Sequence, residues 1–324
     1  MTPRKKILIS ILVLALFSLW VVNAFGKGIS DFLFWYEISQ QPQMLSAELS
    51  LEKELRDMKP IRNRQIPDLE TTAKSAISLL LKENGEEMVL FEKNSEAILP
   101  FASLAKLMTA WVVLEHYDLA KSVTISKSAA NQYGEIGKLQ EGKSFPTEYL
   151  LYPLLMESSN GAAFALADDY GGMTERDFVG LMNSEAKKMG LENTFFDNPS
   201  GLDPEESRSE MNYSTVLDLA VFSKKLLDKP LIWEILSLPR YSLYGPELVN
   251  TNKFLLNGSA YWQDRIIGGK TGYTGEAGGC LLLVVKAPKG QGILISVILG
   301  ANGKENRFDE MKKLVDWVKA AHKW

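Results

Sequence analysis

Cysteine and histidine are scarce in this sequence of 324 residues, which has one cysteine, Cys280, and two histidines, His116 and His322. A single cysteine excludes an internal disulfide and a thiolate metal cluster. Catalytic zinc commonly takes three protein ligands, often histidines, so the sequence argues against a zinc hydrolase and no metal site is expected. Neither histidine lies in a motif typical of a Ser-His-Asp triad, although the count permits one. A serine nucleophile here would therefore be activated by a lysine.

The cysteine lies in the apolar run that follows Gly279. This context predicts a small buried strand residue, with a reactive thiol as the alternative.

The sequence also lacks an excess of positive charge. It has 36 Lys and Arg against 40 Asp and Glu, a formal net charge of −4, and a pI near 5.5. A nucleic-acid partner would need a basic face, so none is expected. With 46% hydrophobic and 23% charged residues, the composition is typical of a globular protein.

Only one hydrophobic run has the length to cross a bilayer. Residues 7–25 are apolar apart from three polar residues, and three basic residues precede them. The basic flank predicts that residues 1–6 lie in the cytoplasm and that the rest of the chain lies outside. The run exceeds the roughly 7–15 residues of a signal-peptide core, which favours a retained anchor in the cell membrane. Val22-Asn23-Ala24 also suits cleavage of a signal peptide, and the protein would then be secreted or periplasmic.

Residues 26–72 are predicted to be a stalk or linker, because residues 45–58 are charged and Pro60 and Pro67 follow them. The folded domain is predicted to cover residues 73–324. It opens with two strands, residues 75–82 and 87–92, joined at Asn84-Gly85, a strong hairpin signal.

Helical patterns occupy the middle of this domain, and strands return at its end. Helices are predicted from Ser103 to Tyr117, over residues 147–158 with an interruption at Pro153, after Thr174, and after Ser214. Three apolar strands follow at residues 265–274, 279–286 and 292–300, and residues 306–321 form an amphipathic helix. This order predicts an α+β fold, in which both ends of the domain form an antiparallel sheet and a helical subdomain is inserted between them. A cleft between the two parts is the natural place for a site.

The stretch Pro100 to Thr109 contains the pattern Ser103-x-x-Lys106 at a helix start. Residues three apart lie on one helical face, so the hydroxyl and the amine can touch. If that face is buried and the amine is neutral, Lys106 can take the proton of Ser103, which then attacks a carbonyl. Two other Ser-x-x-Lys patterns, Ser50 to Lys53 and Ser184 to Lys187, are interpreted as exposed helix faces.

A second motif, Ser158-Ser159-Asn160, has two interpretations. Most such triplets cap a helix. In a catalytic site, Ser158 would instead shuttle a proton between Lys106 and a leaving amine, and Asn160 would hold Lys106 or a substrate amide.

The third motif, Lys270-Thr271-Gly272, lies in a predicted strand that is rich in glycine. Strands usually avoid glycine, so this pattern suggests that something lies close to the backbone, such as a peptide bound as an extra strand. The alternative is a glycine-rich bend at a sheet edge. In the functional interpretation, Lys270 attracts a carboxylate, Thr271 hydrogen-bonds it, and the second cation helps to keep Lys106 neutral.

Together and in this order, these motifs resemble those of the low-molecular-mass D-alanyl-D-alanine carboxypeptidases, which are serine penicillin-binding proteins. The resemblance runs from about Ala73 to the C-terminus. Besides the three motifs it includes two further stretches, Met189-Gly190-Leu191-Glu192-Asn193-Thr194 and Asn198-Pro199-Ser200-Gly201-Leu202-Asp203.

The resemblance implies a β-lactamase/DD-peptidase-like fold and three catalytic residues: Ser103 as the acylated nucleophile, Lys106 as its base and Ser158 as the second active-site serine. The oxyanion hole would be formed by the N–H groups of Ser103 and Tyr273. The implied substrate is a peptidoglycan stem peptide ending in D-Ala-D-Ala, and β-lactams would be inhibitors. No cofactor is implied. Substrate-binding residues would be Asn160, Lys270, Thr271, Gly272 and Tyr273.

The chain departs from the family pattern at Ser159 and Gly161, where relatives often have Gly and Asp, so an altered rate or substrate preference is expected. A β-lactamase of the same fold would need a glutamate for deacylation. The one tempting stretch, Glu247 to Asn250, lies too close to Lys270, and slow β-lactam turnover is expected. A DD-endopeptidase would use identical residues, and a non-catalytic peptidoglycan-binding scaffold is the non-enzyme alternative.

Overall fold

The structure is a computed structural model that describes residue 50, residues 53–54, 56–134, 139–168, 172–204, 210–256 and 265–324. The chain divides into two compact units, Met1–Met58 and Lys59–Trp324. In the first unit, the described residues before Met58 are helical. The predicted membrane segment, residues 7–25, lies outside the described residues. No helix within the described ranges is both long and apolar enough to span a bilayer.

The second unit is built around a five-stranded antiparallel sheet. Its strands come from both ends of the unit and lie in the order β10-β11-β12-β2-β3. The N-terminal pair forms a hairpin in which Gly85 has a φ of +83°, as the predicted turn requires. The strand bounds are β2 Ser75–Leu81, β3 Glu87–Lys93, β10 Ile266–Thr274, β11 Gly278–Lys286 and β12 Ile293–Ala301.

Alternating side chains place a hydrophobic core on each face of this sheet. Leu281 and Leu283 of β11 pack on one face, and Leu282 and Val284 pack on the other. The first face is covered by the last helix, α9 (Asn306–Ala320), whose predicted apolar residues are all buried there: Phe308, Met311, Leu314, Val315 and Val318. The second face is covered by the helical part of the chain, which packs into the same core.

Helices and short strands fill the interval between β3 and β10. This arrangement confirms the predicted α+β fold with a helical insert. The helices are α1 Lys106–His116, α2 Lys127–Ala130, α3 Thr147–Tyr152, α4 Asn160–Ala167, α5 Glu175–Lys188, α6 Val216–Leu226, α7 Pro230–Ser237, α8 Lys253–Leu256 and, after β12, α9 Asn306–Ala320. The short strands are β1 Ile61–Arg62, β4 Leu99–Pro100, β5 Ser122–Thr124, β6 Ser144–Pro146, β7 Tyr213–Ser214, β8 Arg240–Tyr241, β9 Leu248–Val249 and β13 His322–Lys323.

Most of the predicted helix boundaries hold to within a few residues. Thr174 caps α5 in a capping box with Asp177, as its sequence context predicts. The cap of α6 is Thr215 and not Ser214, because the Thr215 hydroxyl accepts the Asp218 N–H. At Pro153, which lacks a backbone N–H, α3 ends and a π-helical turn, Pro153–Glu157, begins.

The folded unit begins earlier than the proline pattern predicts. The sequence places residues 59–72 in the stalk, yet β1 pairs with β13 at the end of the chain. The Arg62 guanidinium lies 4.8 Å from the centre of the Trp317 ring, whose Nε1 donates to the Pro67 carbonyl. Thr71 donates to the Glu310 carboxylate. The two hydrogen-bonded pairs are separated by 239 and 250 residues in sequence, so a local pattern could not reveal them.

Candidate active site

The predicted serine and lysine meet where β4 turns into α1. A 3-10 turn, Ala102–Ala105, precedes α1, and side chains three residues apart eclipse in this conformation. The Lys106 Nζ therefore lies 3.0 Å from the Ser103 Oγ. Ser103 is partly accessible, whereas Lys106 is completely buried. A substrate can thus reach the hydroxyl, and solvent cannot reach the amine.

Two further oxygens hold the Lys106 amine. It donates to the Asn160 Oδ1 at 2.7 Å and to the Ser200 carbonyl at 2.6 Å. Neither of these oxygens can donate a hydrogen bond, whereas the Ser103 hydroxyl can donate or accept. Of these three oxygens, only that of Ser103 carries a proton that it could give to the amine.

The Ser200 carbonyl is held by a loop that closes on the start of α1. The Asn198 Oδ1 accepts the N–H groups of Ser200 and Gly201, and the Thr109 hydroxyl donates to the Pro199 carbonyl at 2.6 Å. Gly201 has a φ of +80°, and a Cβ there would lie 2.0 Å from the Ala102 carbonyl oxygen. Only glycine fits this contact, which explains why the loop carries it.

Different residues of the motif Ser158-Ser159-Asn160 match its two interpretations, a helix cap and a part of the active site. Ser159 is the helix cap: its hydroxyl accepts the Ala162 N–H at the start of α4. Ser158 has a left-handed φ of 64°, a conformation uncommon for serine, and its hydroxyl accepts from the Lys270 amine. Asn160 contacts Lys106, and its Nδ2 donates to the Tyr133 carbonyl.

Replacing Ser159 with alanine tests its assignment as a helix cap. We expect the free energy of unfolding to fall by about 1 kcal/mol, because the cap of α4 is lost. Acylation of the protein by a β-lactam should keep nearly its original rate, since the Ser159 hydroxyl accepts the Ala162 N–H as the cap of α4. Thermal unfolding and a time course of acylation measure the two quantities. A large loss of acylation rate without a loss of stability would contradict the assignment of Ser159 as a cap.

Lys270 on β10 brings the second and third motifs together. Its buried amine donates to the Ser158 Oγ at 2.7 Å and to the Thr271 carbonyl at 2.9 Å. Burial, followed by the nearby charges of Lys106 and Arg307, holds the pKa of Lys270 well below its usual range. An anion placed beside this amine would favour its protonated form.

Thr271 and Tyr273 occupy the rest of the motif. The Thr271 hydroxyl is buried and hydrogen-bonds the Thr251 hydroxyl at 2.7 Å, whereas the Tyr273 side chain is exposed. β10 is the edge strand of the five-stranded sheet. The other side of β10 is not paired within this sheet, and binding of an extended peptide there stays a prediction.

The glycines of β10 need a different explanation from the one that the sequence suggests. A Cβ at Gly268 would lie 2.9 Å from the Trp233 ring, and one at Gly269 would lie 2.8 Å from the Leu282 carbonyl oxygen. A Cβ at Gly272 would lie 3.1 Å from both the Ala102 Cβ and the Phe101 carbonyl oxygen. These close neighbours are protein atoms and not an open groove. Glycine at position 272 lets β10 approach the start of α1.

The other chemically reactive side chains do not join this group. His116 contacts Glu185, and His322 contacts the Val318 carbonyl. Cys280 is buried, as predicted for a strand residue, and burial raises the pKa of its thiol to about 12. Glu247 is exposed and pairs with Arg240. In the described part of the chain, no cluster of three or more His, Cys, Asp or Glu residues could hold a metal.

The structure thus brings together residues of all three motifs. It also adds groups that the motifs do not predict. The Ser200 carbonyl lies in a stretch that the family resemblance includes, but its contact with Lys106 has no signal in the spacing. Thr251 and Arg307 contribute to this region from outside any motif. Their positions depend on contacts between distant parts of the chain.

Comparison with known proteins decides the family. A sequence profile described as D-alanyl-D-alanine carboxypeptidase matches residues 62–303. The chain belongs to this family. It is 34% identical over 267 residues to the D-alanyl-D-alanine carboxypeptidase DacF of Bacillus subtilis, covering 79% of this chain and 64% of that protein. It is also 31% identical to a D-alanyl-D-alanine endopeptidase of Pseudomonas aeruginosa, over 74% of this chain and 76% of that protein.

A solved structure of another relative supports the fold. Penicillin-binding protein D2 of Listeria monocytogenes, in its ampicillin-bound form, matches with a TM-score of 0.66 and 33% identity. The match covers 78% of this chain and all of that chain. The fold is therefore that of the penicillin-binding DD-peptidases, as the sequence motifs imply. The chain spans less than two thirds of the length of the first curated carboxypeptidases that it matches, between 60% and 64%.

Proposed function

We propose that this protein is a serine D-alanyl-D-alanine carboxypeptidase that trims peptidoglycan stem peptides ending in D-Ala-D-Ala. The observation that carries the proposal is the contact between the Ser103 hydroxyl and the buried Lys106 amine, at 3.0 Å, in a chain of this family.

Lys106 is proposed as the general base. In its neutral form the amine has two N–H groups and one lone pair. The Asn160 Oδ1 and the Ser200 carbonyl can only accept, so they take the two N–H groups. The lone pair then faces the Ser103 hydroxyl. As the Ser103 oxygen bonds to the carbonyl carbon of the penultimate D-alanine, its proton passes to Lys106.

The developing oxyanion is proposed to bind the N–H groups of Ser103 and Tyr273. The short separation between Gly272 and the Ser103 nitrogen supports this pairing, since a Cβ on Gly272 would lie 3.2 Å from that nitrogen. When the C–N bond breaks, the proton that Lys106 took from Ser103 passes through the Ser158 hydroxyl to the nitrogen of the leaving D-alanine. Water then attacks the ester, its hydroxide bonds to the acyl carbon, and its proton returns to the Ser103 oxygen.

Lys270 and Thr271 are proposed to bind the terminal carboxylate of the substrate. Because the pKa of Lys270 is held low by burial and by two nearby cations, a carboxylate would shift this amine towards its protonated form. The same contacts would suit the carboxylate of a β-lactam, and the ampicillin-bound relative supports β-lactams as acylating inhibitors.

We also propose that residues 7–25 anchor the protein in the cell membrane and that residues 59–324 lie on the extracytoplasmic side. The apolar run with its basic flank supports the orientation, and the peptidoglycan substrate of the family requires it.

Release of D-alanine tests the proposed activity. The detergent-solubilised full chain is incubated with diacetyl-L-Lys-D-Ala-D-Ala or with the same peptide ending in L-alanine. We expect D-alanine from the first peptide only, and ampicillin should block its release. Absence of release from this peptide and from purified pentapeptide muropeptides, together with absence of acylation by ampicillin, would favour the scaffold alternative.

Endopeptidase activity is the second candidate, because the chain covers 76% of the length of the Pseudomonas aeruginosa endopeptidase. The same residues would attack a D-Ala carbonyl whose leaving amine belongs to a neighbouring stem peptide. Cross-linked dimeric muropeptides test this candidate: cleavage to monomers faster than release of D-alanine would identify an endopeptidase.

A further inference from the structure

We propose that Arg307 is a positioning residue for the oxyanion hole. It fixes the peptide unit between Gly272 and Tyr273 so that the Tyr273 N–H points towards the substrate carbonyl. The inference rests on the proposed function, since it needs an acyl-transfer reaction at Ser103.

The first observation is a hydrogen bond to the carbonyl of this peptide unit. The Arg307 Nη1 donates to the Gly272 carbonyl at 2.8 Å, and both groups are buried. In a planar trans peptide the C=O and the following N–H point in opposite directions. The guanidinium therefore holds the Tyr273 N–H on the side away from itself. A hydrogen bond from a charged donor also polarises the peptide and strengthens that N–H as a donor.

The second observation is where this peptide unit lies. Gly272 approaches the start of α1 so closely that a Cβ would lie 3.2 Å from the Ser103 nitrogen. A small rotation of the Gly272–Tyr273 peptide would turn one of the two proposed oxyanion donors away from the other. Both donors are backbone N–H groups, so their directions depend on the contacts that hold the backbone in place.

The third observation is the way the chain accommodates Arg307. The residue lies in the first turn of α9, and a Cβ on Gly279 would lie 3.1 Å from the Arg307 Cβ. Arg307 is 4% exposed, and its guanidinium carbon lies 5.0 Å from the Phe308 ring centre. Its Nε has no hydrogen-bond partner among the described residues, and burial lowers the pKa of Arg307. Burial of a cation with an incomplete donor set is unfavourable, so its presence beside β10 calls for a functional reason.

Charge alone is the competing explanation, because Arg307 also lowers the pKa of Lys270. Two variants separate the effects. Arg307→Lys keeps the positive charge but loses the forked donor that reaches the carbonyl. Arg307→Met keeps a similar volume and removes both. If only charge matters, the lysine variant behaves like the original protein, and the methionine variant shifts the pH profile of acylation.

The decisive measurement is the infrared carbonyl stretch of the acyl-enzyme, formed by the full chain with benzylpenicillin carrying a 13C-labelled β-lactam carbonyl. Strong oxyanion-hole donors lower this frequency, so we expect it to rise in both variants. Acylation should also slow by about tenfold. This is less than the roughly 10²- to 10³-fold loss of rate that follows removal of a whole oxyanion-hole donor. The frequency is a property of each acylated molecule, so partial unfolding of a variant does not move it.

Arg62→Met is the matched control, because Arg62 also donates to backbone carbonyls and stacks on a ring, but at the β1–β13 edge. It should lower the unfolding temperature and leave the carbonyl frequency unchanged. If both Arg307 variants have the same carbonyl frequency and acylation rate as the unmodified chain, the inference is overturned and the proposed function stays intact. Failure of the unmodified chain to form any acyl-enzyme would instead overturn the proposed function.

Discussion

Replacing Ser103 with alanine is expected to abolish the covalent adduct that the protein forms with benzylpenicillin. The hydroxyl is the group that becomes the ester, and an alanine side chain has no nucleophilic atom. Intact mass after brief exposure should show one added penicillin in the original chain and none in the variant. Release of D-alanine should fall by about 10⁶-fold, as is usual for loss of a serine nucleophile.

The chain provides its own control for this experiment. Ser184 and Lys187 repeat the Ser-x-x-Lys spacing on α5, where both residues are exposed. Ser184→Ala should therefore keep the full adduct. The adduct of the original chain should also persist, because Glu247 pairs with Arg240 on the surface. An adduct on Ser103→Ala, or rapid penicillin hydrolysis by the original chain, would refute the assignment of Ser103 as a slowly deacylating nucleophile.

Replacing Lys106 with methionine should slow acylation by about 10³-fold, since the base that accepts the Ser103 proton is removed. Methionine has a similar length and fills the buried space. It leaves the Asn160 Oδ1 and the Ser200 carbonyl without their shared donor, which costs about 1–3 kcal/mol of stability for each oxygen left unpaired. Stopped-flow acylation with a chromogenic cephalosporin measures the rate, and thermal unfolding measures the stability.

Lys187→Met is the matched control and should change neither quantity. Lys106→Arg separates the two effects on Lys106, because arginine donates hydrogen bonds but does not lose its proton. It should therefore acylate as slowly as Lys106→Met. Acylation of Lys106→Arg at the original rate would show that Lys106 acts through its hydrogen bonds and not as a base.

The sequence determined the features that depend on local spacing. Ser103 and Lys106 stand three residues apart, and a helix start brings such residues together whatever surrounds it. The Asn84-Gly85 turn and the apolar runs of β10, β11 and β12 likewise follow from backbone preference and from a period of two. For the same reason, strands at both ends of the domain indicated the sheet and the helical insert.

The tertiary structure decided which groups complete the site. The Ser200 carbonyl reaches Lys106 across 94 residues, and Arg307 reaches Gly272 across 35. Neither contact has a period or a fixed spacing, because each depends on how a loop or a helix packs against β10 and α1. The same holds for residues 59–72, which join the folded unit through partners near the C-terminus. Spacing can specify which residues react, but the packing of distant segments fixes the direction in which their hydrogen bonds point.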